Sequence, residues 1–285
     1  MATGNLPTTT QQGVRTIRTA ATNPALEFAE RVGYAARGLL YMVMGLLALG
    51  VALGIGGTNT DQPGSLAFIT ANPFGKVILV VVVIALLAYS IWGFVRAFFD
   101  PLHRGHDAMG VADRVGFISS AVSYAAIAVL GLQMLAGVGS ASGDGTQKLV
   151  TTILTLPAGQ WLTLGIGVAS VGVGLGQFFA SYKATFKKDM KQSEMSHAER
   201  KVTDFLGRFG MFSRGVTFSL VGVFLVQAGL HRDAGLAHGF GGAFAVILAQ
   251  SYGHPLLGLV ALGFVALGLH SFAMARYARL MGSVT

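Results

Sequence analysis

Three sets of residues in this chain have types and spacings that could do chemistry. "HRGHD" at 103–107 places His103, His106 and Asp107 within five positions, and these are donor types that hold a divalent metal. His270 stands alone in an apolar run, where an imidazole could ligate a haem or a pigment. Arg31 and Arg37 open "ERVGYAARGLLYMVMG" at 30–45, and cations entering an apolar stretch can gather an anion. Each set also has a plainer reading. Loop histidines are commonly solvated, a lone histidine in an apolar helix commonly packs, and arginines at a membrane boundary snorkel back to the headgroups.

Other chemistry is missing from the sequence. There is no cysteine, which removes thiolate ligands, cysteine nucleophiles and disulfides. "GVGSASGDGTQK" at 137–148 lacks the Gly-Lys-Ser/Thr ending of a phosphate-cradling loop. Carboxylates held at mid-membrane are usual in ion-coupled transporters, yet all twelve acidic residues fall outside the apolar runs. The expectation is therefore no catalytic residue, no metal site and no cofactor; the chain does not read as an enzyme.

The elements that must position the arginines come next. Of 285 residues, 53% are hydrophobic and 11% charged, too few charges to clothe a water-soluble globule. Six runs are long enough to cross a bilayer, at about 34–56, 74–99, 116–138, 158–181, 211–230 and 254–275. Lone segments in lipid must satisfy their own backbone, so each is expected to be a helix. Of the 20 lysines and arginines, all but Lys76, Lys148 and Arg232 lie on one side of these runs. The positive-inside rule then puts both termini in the cytoplasm and makes the chain a multi-pass plasma-membrane protein. The net charge of +8 sits beside the apolar runs, which favours anionic lipid over nucleic acid as its partner.

The opening arginine phrase recurs. "DRVGFISSAVSYAAIA" begins at Asp113 and "GRFGMFSRGVTFSLVG" at Gly207. Arg31, Arg114 and Arg208 align, then Gly33, Gly116 and Gly210, then Tyr41, Tyr124 and Phe218. The second halves align at Ile69, Ile153 and Ile247, at Gly75, Gly159 and Gly253, and at Phe94, Phe178 and Phe272. The chain thus divides into a flexible tail at 1–22, units at 23–101, 102–182 and 205–285, and a basic connection at 183–204. Each unit holds a helix, an outer connection with a short helical stretch, and a returning helix. All three units share one orientation, so a pseudo-threefold arrangement about the membrane normal is expected, with a sequential layout as the alternative.

Small residues predict where the helices touch. Gly38 and Gly45 lie seven apart, as do Gly215, Gly222 and Gly229, and Gly172 and Gly176 form a small-xxx-small pair. Such seams serve internal packing or self-association. Gln133 and Gln227 stand at matching positions near the outer ends of their spans, either packed across helices or lining a wet vestibule. "SHAE" at 196–199 reads as a capping box, and "NPALEFAERVG" at 23–33 starts an interfacial helix with Pro24 at its first position. The lysines at 183, 187, 188 and 191 should lay the basic connection along an anionic leaflet.

"RVGYAARGLLYMVMGLLAL" with its two degenerate copies, together with "PFG" at 73–75 and "PAG" at 157–159, resembles a bacterial membrane family known as domain of unknown function 1206. The resemblance covers about residues 31–280 and implies three tandem two-helix units in a bacterial plasma membrane, without implying an activity. The chain departs from it at Ser120, which replaces the second arginine of the middle repeat, and at Ser251, which replaces the proline of the third. Together these readings favour a non-catalytic accessory or assembly subunit, or a lipid-binding scaffold. The alternative is a passive channel or carrier, for anions, fed by Arg37 and Arg214. Arg31, Arg37, Arg114, Arg208 and Arg214 are the candidates to face lipid or an anion. Asp204 lies one turn before Arg208 and can pair with it, so Arg31 and Arg114 are expected to be freer for headgroups.

Overall fold

Every apolar run becomes a helix in the computed structural model, which describes residues 24–56, 61–99, 108–138 and 145–278. The chain is a multi-pass, all-helical membrane protein. Its first unit comprises α1 (Pro24–Ala52), α2 (Gln62–Ala71) and α3 (Gly75–Phe99). The second comprises α4 (Ala108–Leu135), α5 (Gly145–Leu154) and α6 (Gly159–Lys183). The third comprises α7 (His197–His231), α8 (Phe240–Leu248) and α9 (Gly253–Tyr277). The six long helices are all long and apolar enough to cross a membrane. The tail, the "HRGHD" loop and Asn23 lie outside the described residues.

Helix ends differ from the expected ones for local reasons. The segment opening at Pro24 is not a separate interfacial helix; it runs unbroken into the first span. That span stops at Ala52, because Gly54 and Gly56 take φ of +68° and +108° and unwind the chain. Helix α7 is 35 residues long, about 52 Å, which exceeds a hydrocarbon core of about 30 Å. Its first turns must therefore stand outside the apolar layer. They start at the capping box: the Glu199 amide donates to Ser196 Oγ and the Ser196 amide to Glu199 Oε2.

The basic connection folds back on the protein. Phe186, Met190 and Met195 are buried, the Lys191 amide donates to the Tyr277 carbonyl, and Tyr277 donates to Glu199. Burial of these three large apolar side chains anchors the segment on the helices. Lys187 and Lys191 pair within the segment and its neighbours, with Asp204 and Glu194.

The turn into each returning helix is built the same way. A methyl group at Gly75, Gly159 or Gly253 would collide with the carbonyl of Ile69, Ile153 or Leu248. Only glycine lets the short helix end that close to the next one.

The most extensive interfaces join successive units: α3 on α4, α6 on α7, and α9 on α1. Glycine seams make them. A methyl at Gly38 would lie 3.0 Å from the Gly268 carbonyl, and one at Gly215 would lie 3.1 Å from the Gly174 carbonyl. At the matching place between α3 and α4, Ser90 Oγ donates to the Ala121 carbonyl at 2.7 Å. One turn pair further, Gly45 meets Val265, Gly222 meets Val171, and Gly229 meets Leu164. Close backbone approach of this kind replaces the hydrophobic drive that lipid removes.

The pair Gly172 and Gly176 does not pack within the chain; nothing lies within 4 Å of a methyl built on either. Packing on α6 uses Gly167 and Gly174 instead, whose seven-residue step faces α7. The four-residue spacing was present, but among the described residues no helix stands opposite that face.

Inside the units the picture is uneven. Helices α1 and α3 pack together, as do α7 and α9, whereas α4 and α6 share no comparable interface. Gly33 presses on Tyr89 and Gly210 on Leu267, while the equivalent Gly116 has nothing within 4 Å. The middle unit is splayed.

Candidate functional site: an arginine and tyrosine cluster

On the basic side of the protein, where the first helix of each unit begins, four of the chain's seven tyrosines converge. Tyr34 and Tyr41 come from α1, Tyr89 from α3 and Tyr124 from α4, all at most 5% exposed. Tyr89 packs edge-on against Tyr34 and Tyr124, with ring centres 5.3 and 5.2 Å apart. The hydroxyls of Tyr41 and Tyr124 are 3.0 Å apart and share a hydrogen bond that ties the first unit to the second.

Arginines enter this aromatic wall from three helices. Arg37 donates to Tyr89 Oη at 3.0 Å and lies 5.0 Å from the Tyr34 ring centre. Arg214, its counterpart in the third unit, lies over Tyr41 and Phe218 at 5.8 and 5.1 Å. Arg96 is 8% exposed, donates to Tyr34 Oη at 3.4 Å and sits over Phe117 at 4.8 Å. Desolvated cation–aromatic contacts of this type are worth about 2 kcal/mol each. They do not supply what a guanidinium most needs. It carries five N–H donors, and the Nε of Arg37 and of Arg214 is buried without a hydrogen-bond partner. Among the described residues, no carboxylate pairs with either one. Two cations held by aromatic faces, with donors left over and no acid, form an arrangement that favours an incoming anion.

The remaining sequence candidates have other roles. Arg31 and Arg208 are not left to headgroups; they hold the ends of helices. Arg31 donates to the carbonyls of Ala275 and Arg276 at the end of α9, at 3.1 and 2.8 Å. Arg208 donates to those of Ser181 and Tyr182 at the end of α6, at 3.1 and 2.6 Å. The last carbonyls of a helix lack partners and carry its negative dipole end, so an arginine from the next unit satisfies both needs. Arg208 also makes the expected pair with Asp204 at 3.1 Å. Arg114 is half-buried at the matching position of α4. The contrast in lipid-facing freedom expected between Arg31 and Arg208 does not hold, because both are engaged in the same way.

His270 is 2% exposed, edge-on to Phe186 at 4.8 Å and close to Gly207, which makes it a packing residue. Gln133 and Gln227 are exposed on the flanks of their helices. A cavity of about 40 Å³ lies between Phe186, Met190, Met195 and Thr203, room for one or two waters.

At the opposite end, the starts of the three short helices come together. Asp61 caps α2 by accepting from the Gly64 amide at 2.9 Å. A methyl at Gly239, which precedes α8, would reach Thr146 of α5 at 2.6 Å and Asp61 at 3.9 Å. Burial pushes the Asp61 carboxyl above its ordinary range, against the pull of the Gly64 amide. Between the two ends, Tyr41, Phe240, Phe244 and Phe264 pack ring on ring, with Phe218 against Phe240.

Arg96 and the four tyrosines escaped the sequence reading. Tyr41 and Tyr124 at one register position were the available signal. Arg96, counted only as a flanking charge, had none.

Comparison with known proteins adds lineage. The model of a family described as Domain of Unknown Function (DUF1206) matches three times, at residues 32–100, 115–184 and 209–278. The chain is 31% identical over 256 residues to the Bacillus subtilis (strain 168) protein called Uncharacterized protein YxxB, covering 90% of this chain and 92% of that one. No solved structure matches.

Proposed function

The chain belongs to the DUF1206 family, and from that premise we propose that it is a non-catalytic plasma-membrane protein acting as a lipid-binding scaffold or accessory subunit. Its three units stand around a pseudo-threefold axis along the membrane normal, with both termini cytoplasmic. Support for the arrangement comes from the recurring contacts: glycine seams at Gly38 and Gly215 with Ser90–Ala121 between them, and arginine caps at Arg31 and Arg208. Support for the function comes chiefly from one observation. Arg37 and Arg214 are held by aromatic rings near the basic ends of their helices, and among the described residues no carboxylate pairs with either. Anionic lipid is the partner that such a pair suits, and contact with further subunits or a second copy is served by the wide apolar outer faces.

Reconstitution tests this against the passive anion channel or carrier. Both readings use Arg37 and Arg214, but a channel needs a wet path, and between the two ends of the protein the rings of Tyr41, Phe240, Phe244 and Phe264 pack against one another. The scaffold reading expects retained anionic lipid in native mass spectrometry and no anion flux above that of empty liposomes. Flux that disappears in an Arg37→Ala, Arg214→Ala double variant would make the carrier reading the right one.

A further inference from the structure

We infer that the splayed middle unit is a lateral entrance, through which one anionic phospholipid places its phosphate against Arg37 and Arg214 while its acyl chains fill the seam between α4 and α6. The inference rests on the scaffold reading and deepens it by naming the site and the ligand class.

The seam is a departure from a contact the protein makes twice elsewhere. Gly33 closes on Tyr89 in the first unit, and Gly210 closes on Leu267 in the third. In the second, the equivalent partners are Gly116 and Val173, and a methyl at Gly116 would meet nothing within 4 Å. Burial agrees. The most apolar stretch of α6 is 17% buried within the protein and that of α4 28%, against 56% for α9. Exposed Gly165, Gly172 and Gly176 leave gaps among exposed Val168, Leu175 and Phe179 on α6, an apolar relief that acyl chains can fill.

The charge is linked to a helix that borders that seam. The helix α4 that borders it carries Tyr124, whose hydroxyl bonds Tyr41, the ring under Arg214. Arg37 is in turn bonded to Tyr89, which packs on Tyr124. At the position where the first and third units have these arginines, the middle unit has half-buried Ser120. A third cation would crowd the site; a serine leaves room and offers a hydroxyl. A phosphodiester supplies two acceptor oxygens for the leftover guanidinium donors, charge-assisted and in a setting of low dielectric. A free phosphate would satisfy the same donors but would leave the apolar seam unused, so the lipid is the better fit.

Native mass spectrometry of the detergent-purified full chain tests this, with a two-chain anionic phospholipid, its zwitterionic counterpart, and inorganic phosphate as competitor. The expected result is one anionic lipid retained per chain at least tenfold more tightly than the zwitterionic one, with no competition from phosphate. An Arg37→Gln, Arg214→Gln variant should lose that preference about tenfold. Gly116→Leu, which fills the seam and leaves both arginines in place, should weaken retention about fivefold while the protein stays folded. Retention unchanged in Gly116→Leu would overturn the seam, and full competition by phosphate would show the site to be a free-anion site. If anionic lipid is retained but ignores all these substitutions, only this inference fails; if none is retained, the scaffold reading fails as well.

Discussion

The first and third units and the middle unit are written in one repeating sequence, yet they close differently. In the outer two, the helix that enters and the helix that returns meet along Gly33–Tyr89 and Gly210–Leu267. In the middle one the same glycine meets none of the described residues within 4 Å. Between units, however, a close seam forms at all three junctions, through glycine at two and through Ser90 and Ala121 at the other. What makes this protein cohere is therefore the junction of one unit with the next, and the interior of a unit is free to vary. A repeat protein built on nearest-neighbour interfaces can tolerate one open unit so long as both its flanks are sealed.

Substitutions can break or sharpen that contrast. The largest effect belongs to the seams. Gly45→Leu or Gly222→Leu drives a side chain into backbone 2.8 or 2.6 Å away, and should cost about 3 kcal/mol or more, read as a lower unfolding temperature in detergent. Gly172→Leu and Gly176→Leu, on the open face, should shift it little, within about 0.5 kcal/mol. Equal loss at all four sites would mean that the outward face of α6 is packed after all.

Next are the arginine latches. Arg31→Ala and Arg208→Ala each remove charge-assisted bonds to two carbonyls, about 1.5–3 kcal/mol, and the two should behave alike in the same unfolding assay. A large loss for one and none for the other would show that only one junction depends on its latch.

The tyrosine bridge between the first and second units is weaker. Tyr41→Phe or Tyr124→Phe leaves one buried hydroxyl unpaired and should cost about 1–2 kcal/mol, while the double variant should cost less than the sum. Strict additivity in that double-mutant cycle would remove the bond between the first and second units. Smallest is Ser196→Ala at the capping box, about 1 kcal/mol, which should loosen the basic connection; hydrogen exchange at residues 186–196 is the measurement.

The sequence made the frame legible for reasons that are local. Apolar runs named the six spans, the aligned Ile and Gly positions placed the short helices and their turns, and Ser196 with Glu199 announced the start of α7. Spacing alone did not say which face a glycine pair presents, so Gly172 and Gly176 looked like Gly167 and Gly174. Nor did it reveal the open unit, because Gly116 occupies the same register as its closed equivalents. The partners of Arg31 lie 244 and 245 residues away, and no local pattern reports a contact of that span. The tyrosines were visible singly, at a depth where aromatics are ordinary; their convergence is a product of packing.

Those distant partners of Arg31 bear on how the molecule is made. Two of the three junctions join helices that emerge one after the other, so each can form as soon as the next unit is inserted. The junction of α9 with α1 cannot, since the first helix has to wait for the last. Until then α1 presents Gly38 and Gly45 to the bilayer. Closure is thus a single late event of long loop length, and a chain stopped short of Ala275 would be left with an unsealed leading edge, open to the membrane's quality control.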